Sequence, residues 1–259
     1  MMFNDLNVRV SAKASIGKNV RIGDNTVVFD NVVIEDNATI AHNCVIGEPQ
    51  NEYYSNPVYE NPLTVVGSNS LIRSHTIIYA GNKLGENVSI GHRVTLRENN
   101  LIGHHTVIGT LSDIQGNVAI GNYCRLHSYV HISQFSKICN FVFIFPNVVL
   151  TNDPYPPSYD LKGGTIGDYT IVAAHSIILS GIEVGENCLV GANSVIKKNV
   201  PDYSLVMGNP AELVMDIRKY VILGKGKLYP WMYRFSKGIP WEKIGYEAWL
   251  GEKDMADEQ

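Results

Sequence analysis

Aliphatic side chains recur every six residues through most of this chain, with small and polar residues filling the positions between them. One run comprises Ile16, Ile22, Val28, Ile34, Ile40 and Ile46. A second continues unbroken from Val66 and Ile72 through Leu126, Ile132, Ile138 and Ile144 to Leu150, and a third runs Ile166, Val172, Ile178, Val184, Val190 and Ile196. In IGKN, IGDN, LGEN and VGEN the aliphatic is followed by Gly and then a polar pair, where a tight corner needs permissive backbone angles. A period of six matches neither a helix nor simple strand alternation, and self-similarity at a fixed period predicts a solenoid. Three hexapeptides complete one triangular coil, so residues eighteen apart stack. The predicted fold is a parallel β-helix of about nine coils, on the order of 45 Å long at about 4.8 Å per coil.

The ruler breaks twice. Residues 48–63 (EPQNEYYSNPVYENPL) and 154–164 (PYPPSYDLKGG) read as loop insertions, which on a smooth prism are the usual means of walling a pocket. Tyr53, Tyr54 and Tyr59 give the first loop an aromatic surface suited to a base, a sugar ring or a neighbouring subunit. Past Ile196 the period fades, which divides the chain into a β-helix over 1–210 and a helical tail over 211–259. The spacing of Leu213, Val214, Ile217, Val221 and Ile222 predicts a short helix over Ala211 to Leu223. Trp231, Trp241 and Trp249 lie in the tail, which is expected to cap the open end of the solenoid and protect it from edge pairing.

Bulk composition narrows the function classes. A net charge of −4 gives no basic face for a nucleic-acid partner. Cys44, Cys124, Cys139 and Cys188 form no CxxC and sit within repeats, as reduced packing residues do. No apolar run is long enough for a membrane span, and MMFNDLNVRV lacks a signal pattern, so the expected location is cytoplasmic.

Of the eight histidines, His127 stands out. It follows the inward Leu126, and its stacking neighbours are Gly109, which leaves space, and Phe145, which offers an apolar wall. A histidine in such a recess is a natural general base near pH 7. His105, His127 and His131 also invite comparison with the zinc sites of γ-carbonic anhydrases. The four-residue separation of His127 and His131 departs from that family's spacing, and no metal is expected.

The C-terminal coils, IVAAHSIILSGIEVGENCLVGANSVIKKNVPDYSLVMGNPAELV, resemble the end of hexapeptide acyltransferases that use acetyl-CoA, including the closing GNPA. Earlier, PLTVVGSNSLIRSHTIIYAG, RLHSYVHIS and FPNVVLTNDPYPPS resemble nucleotide-linked amino-sugar N-acetyltransferases, closest to those acting on dTDP-3-amino-3,6-dideoxyhexoses. The resemblance implies a left-handed coil and a homotrimer with active sites between neighbouring prisms. It implies N-acetylation of a nucleotide-linked amino sugar for surface polysaccharide synthesis, with acetyl-CoA as co-substrate. His127 would face the amine and the thioester, and Asn147 or Asn152 would orient the amine. Ala174 and Ala192 would let the pantetheine pass close to backbone amides, and Lys197 or Lys198 would meet its phosphates. Tyr53, Tyr54, Arg73, Tyr79, Asp153 and Tyr155 would contact the nucleotide sugar. SQFS departs from the pattern, since many relatives carry an acidic residue at or near Gln134.

A sugar ammonium must lose a proton before it attacks the thioester, and a tetrahedral oxyanion then forms. His127 would accept that proton, with a corner N–H near Ala174 stabilising the oxyanion. In the alternative, the departing CoA sulfur takes the proton and no protein base is essential. Two rival functions remain. IGEPQNEYY and the coils after it also resemble UDP-sugar O-acyltransferases of the lipid A type, and a non-catalytic hexapeptide scaffold would need only the repeats.

Overall fold

The computed structural model describes residues 4–257, so the extreme ends of both expected segments, 1–3 and 258–259, lie outside it. Strands of two to six residues, parallel except for the last of the eleven, wind into three sheets of 10, 9 and 11 strands. Each strand pairs with the one a coil earlier and a coil later, as in Val10↔Val28, Ile34↔Val66 and Leu126↔Ile144. Pairing begins at Arg9–Val10, one hexapeptide before the first aliphatic run, so the ten-stranded sheet counts ten coils rather than nine.

Inward aliphatics from Val28 to Val206 form one continuous core, most of them fully buried. The fourth corner residue, just before each strand, is a valine or alanine at many corners and a small polar residue or a cysteine at others. Thr26, Thr76, Thr106, Ser112, Thr170 and Ser176 are buried there, and each hydroxyl donates to a carbonyl fifteen residues on. This satisfies turn backbone that would otherwise be stranded in an apolar core. Cys44, Cys124 and Cys188 fill the same slot with free thiols, which burial pushes up to about 11, 12 and 11.

The third corner residue adopts positive φ, mostly as Asn, but also as Tyr123, Phe141 and Tyr169 at 55°, 56° and 59°. Left-handed backbone costs such residues about 1–2 kcal/mol each. Their rings offset this by stacking face to face, at 5.3 Å for Tyr123–Phe141 and 5.0 Å for Phe141–Tyr169.

Two expectations for the C-terminal part are corrected. Ala211–Asp216 is a strand, not the start of a helix, and it pairs antiparallel with Ser204–Gly208. The helical spacing of its apolar residues loses to the unpaired N–H and C=O groups of the last coil, which the hairpin covers. Among the described residues, the single α-helix is Tyr246–Asp257. Nor does the tryptophan-rich segment cap the end. Trp231, Met232, Ile239 and Trp241 bury against Phe141 and Phe143, with Tyr246, Trp249, Tyr123, Tyr169 and Ile171 around them. The tail therefore lies along the side of the prism.

Candidate active site

Both loop insertions leave from the corner that joins the ten-stranded to the nine-stranded sheet, after the third and eighth strands of the former. The next corner round, joining the eleven-stranded to the ten-stranded sheet, carries His127, Phe145, Asn147, Ala174, Ala192 and Arg73. The predicted site residues thus fall into two groups, separated by the outer face of the ten-stranded sheet.

On the first corner, the opening loop forms a 3-10 turn over Asn51–Tyr54. Tyr53 and Tyr59 pack edge to face at 6.0 Å and line a cavity of about 470 Å³ with Phe29, Asn31 and Asn61. Tyr54 is more exposed, and its hydroxyl donates to Glu48 Oε1 at 3.3 Å. Tyr79 is covered by the Arg97 guanidinium, 5.1 Å from its ring centre. In the second loop, Asp153 accepts from the Tyr155 and Ser158 amides and the Ser158 hydroxyl at 3.0, 2.7 and 2.6 Å. The Ser158 bonds hold its carboxyl below the ordinary value, so Asp153 organises the loop with both oxygens engaged. Asn152, Asp153, Leu179, Ser180 and Lys197 line a cavity of about 520 Å³, while Lys198 lies outside it and Tyr155 points to solvent.

On the second corner, the exposed His127 stacks on Phe145 at 4.7 Å and 16° between planes. Its ring makes no hydrogen bond among the described residues. Desolvation by partial burial, and then the charge of Arg125, hold its pKa below the ordinary value. Gly109 plays a different part from the one expected. A Cβ there would lie 2.5 Å from the His127 carbonyl carbon and the Ser128 nitrogen, so the glycine admits the next coil's backbone rather than the imidazole. Asn147, exposed at φ 61°, lies one coil beyond His127, with Nδ2 3.5 Å from His175 Nε2. Ala174 lies two coils beyond, roughly 10 Å at the inter-strand spacing, which is too far to stabilise an oxyanion beside His127.

Two features escape the sequence reading. The first is a row of open backbone amides. On the corner joining the nine- and eleven-stranded sheets, second-position N–H groups donate to side chains of the following coil, as Lys18 does to Asp36, His104 to Asn122 and Asn122 to Asn140. On the His127 corner the following coil offers Pro146 to Ser128 and Ala192 to Ala174, and these amides, with that of Ala192, have no partner among the described residues. The small residues were legible, but their effect on amide pairing was not. The second feature is the pair Asp113 and His131, eighteen residues apart and therefore stacked, with Nδ1 3.1 Å from Oδ2. The eighteen-residue spacing could have revealed it. Among the described residues, no group of three or more His, Cys, Asp or Glu is placed to hold a metal. His105 stacks on Tyr123 on the corner joining the nine- and eleven-stranded sheets, away from His127.

No helix among the described residues is long and apolar enough to cross a membrane. The family model described as bacterial transferase hexapeptide (six repeats) matches residues 163–198, and that of the hexapeptide repeat of succinyl-transferase matches 13–48. Galactoside O-acetyltransferase of Escherichia coli (strain K12) is 31% identical over 84 residues, 29% of this chain and 41% of that relative. The dTDP-3-amino-3,6-dideoxy-alpha-D-galactopyranose 3-N-acetyltransferase of Aneurinibacillus thermoaerophilus is 44% identical over 52 residues, 20% of this chain and 24% of that protein. The aligned segments thus span less than half of these curated relatives. A solved Arabidopsis UDP-N-acetylglucosamine acyltransferase superposes with a TM-score of 0.53 at 18% identity, over 82% of this chain and 73% of its own, a likeness of fold alone. At residues 13–48 and 163–198 this chain carries the hexapeptide repeat of the transferase families.

Proposed function

We propose that this protein transfers an acetyl group from acetyl-CoA to the amine of a nucleotide-linked sugar, with dTDP-linked 3-amino-3,6-dideoxyhexoses as the substrate class, for surface polysaccharide synthesis. The observation that carries the reading is the row of open amides at Ser128, Ala174 and Ala192 on the corner that also presents His127. Pantetheine carries two amides, and a bare backbone edge flanked by alanines pairs with them without a side chain in the way. The donor lies toward the C-terminal coils, where Lys197 beneath the second loop meets its phosphates. The thioester then reaches His127 and Asn147, and the Ser128 amide is the nearest open donor for the oxyanion. The sugar nucleotide lies toward the first loop, against its tyrosines.

Because His127 and the loops occupy different corners of one chain, a complete site needs a second chain, and a homotrimer in the cytoplasm supplies it. The sugar substrate is supported by the resemblance of RLHSYVHIS and FPNVVLTNDPYPPS to nucleotide-linked amino-sugar N-acetyltransferases, and by the 44% identity over 52 residues to the dTDP-amino-sugar relative. The Arabidopsis fold likeness equally suits an O-acyltransferase, so donor length decides between them. The test is release of free CoA thiol from acetyl-CoA with dTDP- and UDP-linked amino sugars in parallel. Turnover with a dTDP-3-amino sugar supports the reading; activity only with long-chain acyl-carrier thioesters overturns it.

A further inference from the structure

The outer face of the ten-stranded sheet lies between the His127 corner and the loop corner. From its fifth strand to its tenth the outward residues are Thr95, Asp113, His131, Val149, Ile177 and Val195, each a register partner of the next. The face is polar over the middle coils, from Thr95 to His131, and β-branched aliphatic on either side, with Val27, Val45 and Ile77 before it, and the six residues from Thr95 to Val195 are half-buried. His131 stands where the character changes.

The imidazole of His131 is better equipped than that of His127 to take a proton. Its Nδ1 lies 3.1 Å from Asp113 Oδ2, and Gln115 Nε2 donates to the same oxygen at 2.7 Å. An ionised carboxylate only accepts, so Nδ1 carries the hydrogen and Nε2 presents a lone pair away from the pair. The Arg97 guanidinium also acts on the Asp113 carboxylate and is itself paired with Glu98 at 3.0 Å. His127 has an aromatic wall but no carboxylate to orient its ring or stabilise its protonated form. An imidazole oriented by a carboxylate is the arrangement general bases use.

Resting on the transferase reading, we infer that His131, oriented by Asp113, is the general base of the acetyl transfer, while His127 and Phe145 wall the site. The neutral sugar amine attacks the thioester carbonyl, a C–N bond forms, and the amine proton passes to His131 Nε2. The C–S bond then breaks, and the same proton goes to the departing sulfur, leaving the N-acetyl sugar and CoA thiol. The aliphatic stretch Val149, Ile177 and Val195 lies on the donor side of the base, and the polar stretch on the sugar side.

The test compares His131→Asn, Asp113→Asn, Asp113→Glu and His127→Asn in the full chain, by kcat and KM, with thermal melts to confirm folding. His131→Asn is expected to lose roughly 10²–10⁴-fold in kcat. Asp113→Asn is expected to lose part of that, in kcat rather than in either KM, and Asp113→Glu to recover some of it. His127→Asn is expected to lose far less. If His131→Asn folds and keeps kcat within a few-fold, the inference is overturned and the pair is a bond between coils only. A loss in Asp113→Asn that falls on KM alone also overturns it. Absence of turnover by the unmutated protein with every amino sugar would instead overturn the transferase reading itself.

Discussion

The indole Nε1 of Trp231 donates to the backbone carbonyl of Tyr169 at 2.8 Å, joining the tail to a coil sixty-two residues earlier. Arg125 reinforces the junction from the prism side by donating to the carbonyls of Lys237 and Gly238 at 2.8 and 3.2 Å. Trp231→Ala removes both the buried indole and this bond. Loss of a buried Trp costs about 3–5 kcal/mol, and here the cost falls on tail docking because each coil is held by its neighbours. Limited proteolysis is expected to cut between residues 217 and 245 in the variant, while the coil core stays intact. Equal resistance of variant and parent would show that the tail docks without the indole.

Gly109→Ala brings a methyl group against the backbone of His127 and Ser128. Backbone atoms cannot step aside as a flexible side chain can, so the two coils must separate. We expect a loss of about 1–3 kcal/mol in stability and a fall in activity with it, read by thermal melting and thiol release. An unchanged melting temperature would mean that the coils part freely at this corner.

His127 should titrate below 6.5, the ordinary histidine value. As pH falls, the unfolded chain protonates this residue first, so it lowers folding stability in the window between 6.5 and its folded value and contributes nothing above it. Desolvation is the larger cause and Arg125 the smaller, so Phe145→Ala should raise the ring's pKa more than Arg125→Ala does. NMR titration of the imidazole checks both; a larger rise in Arg125→Ala would reverse the order of causes.

Asp153→Ala should act through the loop rather than through a lost ligand, since its carboxylate is already bonded to Ser158 and Tyr155. The expected result is a raised KM for acetyl-CoA, partly recovered in Asp153→Asn, whose side-chain carbonyl still accepts. Lys197→Ala should raise the same KM without recovery at any ionic strength. An Asp153→Asn variant as impaired as Asp153→Ala would point to the charge itself contacting a substrate.

Much of the candidate site was legible and part of it was not, for identifiable reasons. His127 and Phe145 were expected to stack because they are eighteen residues apart, and they do. Asp113 and His131 obey the same rule, and their pairing is visible only when each histidine is set beside the residue eighteen positions away. Gly109 was read as making room for a side chain, whereas coil-to-coil approach sets its contacts. The open amides at Ser128 and Ala174 depend on what the next coil fails to offer, and a single hexapeptide does not contain that information.

By itself, the order of residues determined the coil, the inward core and the pairs that stack, because a six-residue period encodes both the local turn and its contacts eighteen residues away. Only the tertiary structure decided that Ala211–Asp216 pairs as a strand and that the tryptophans lie along the side of the prism. Those outcomes rest on an unpaired sheet edge and on contacts across 62 and 112 residues, which leave no periodic mark in the chain.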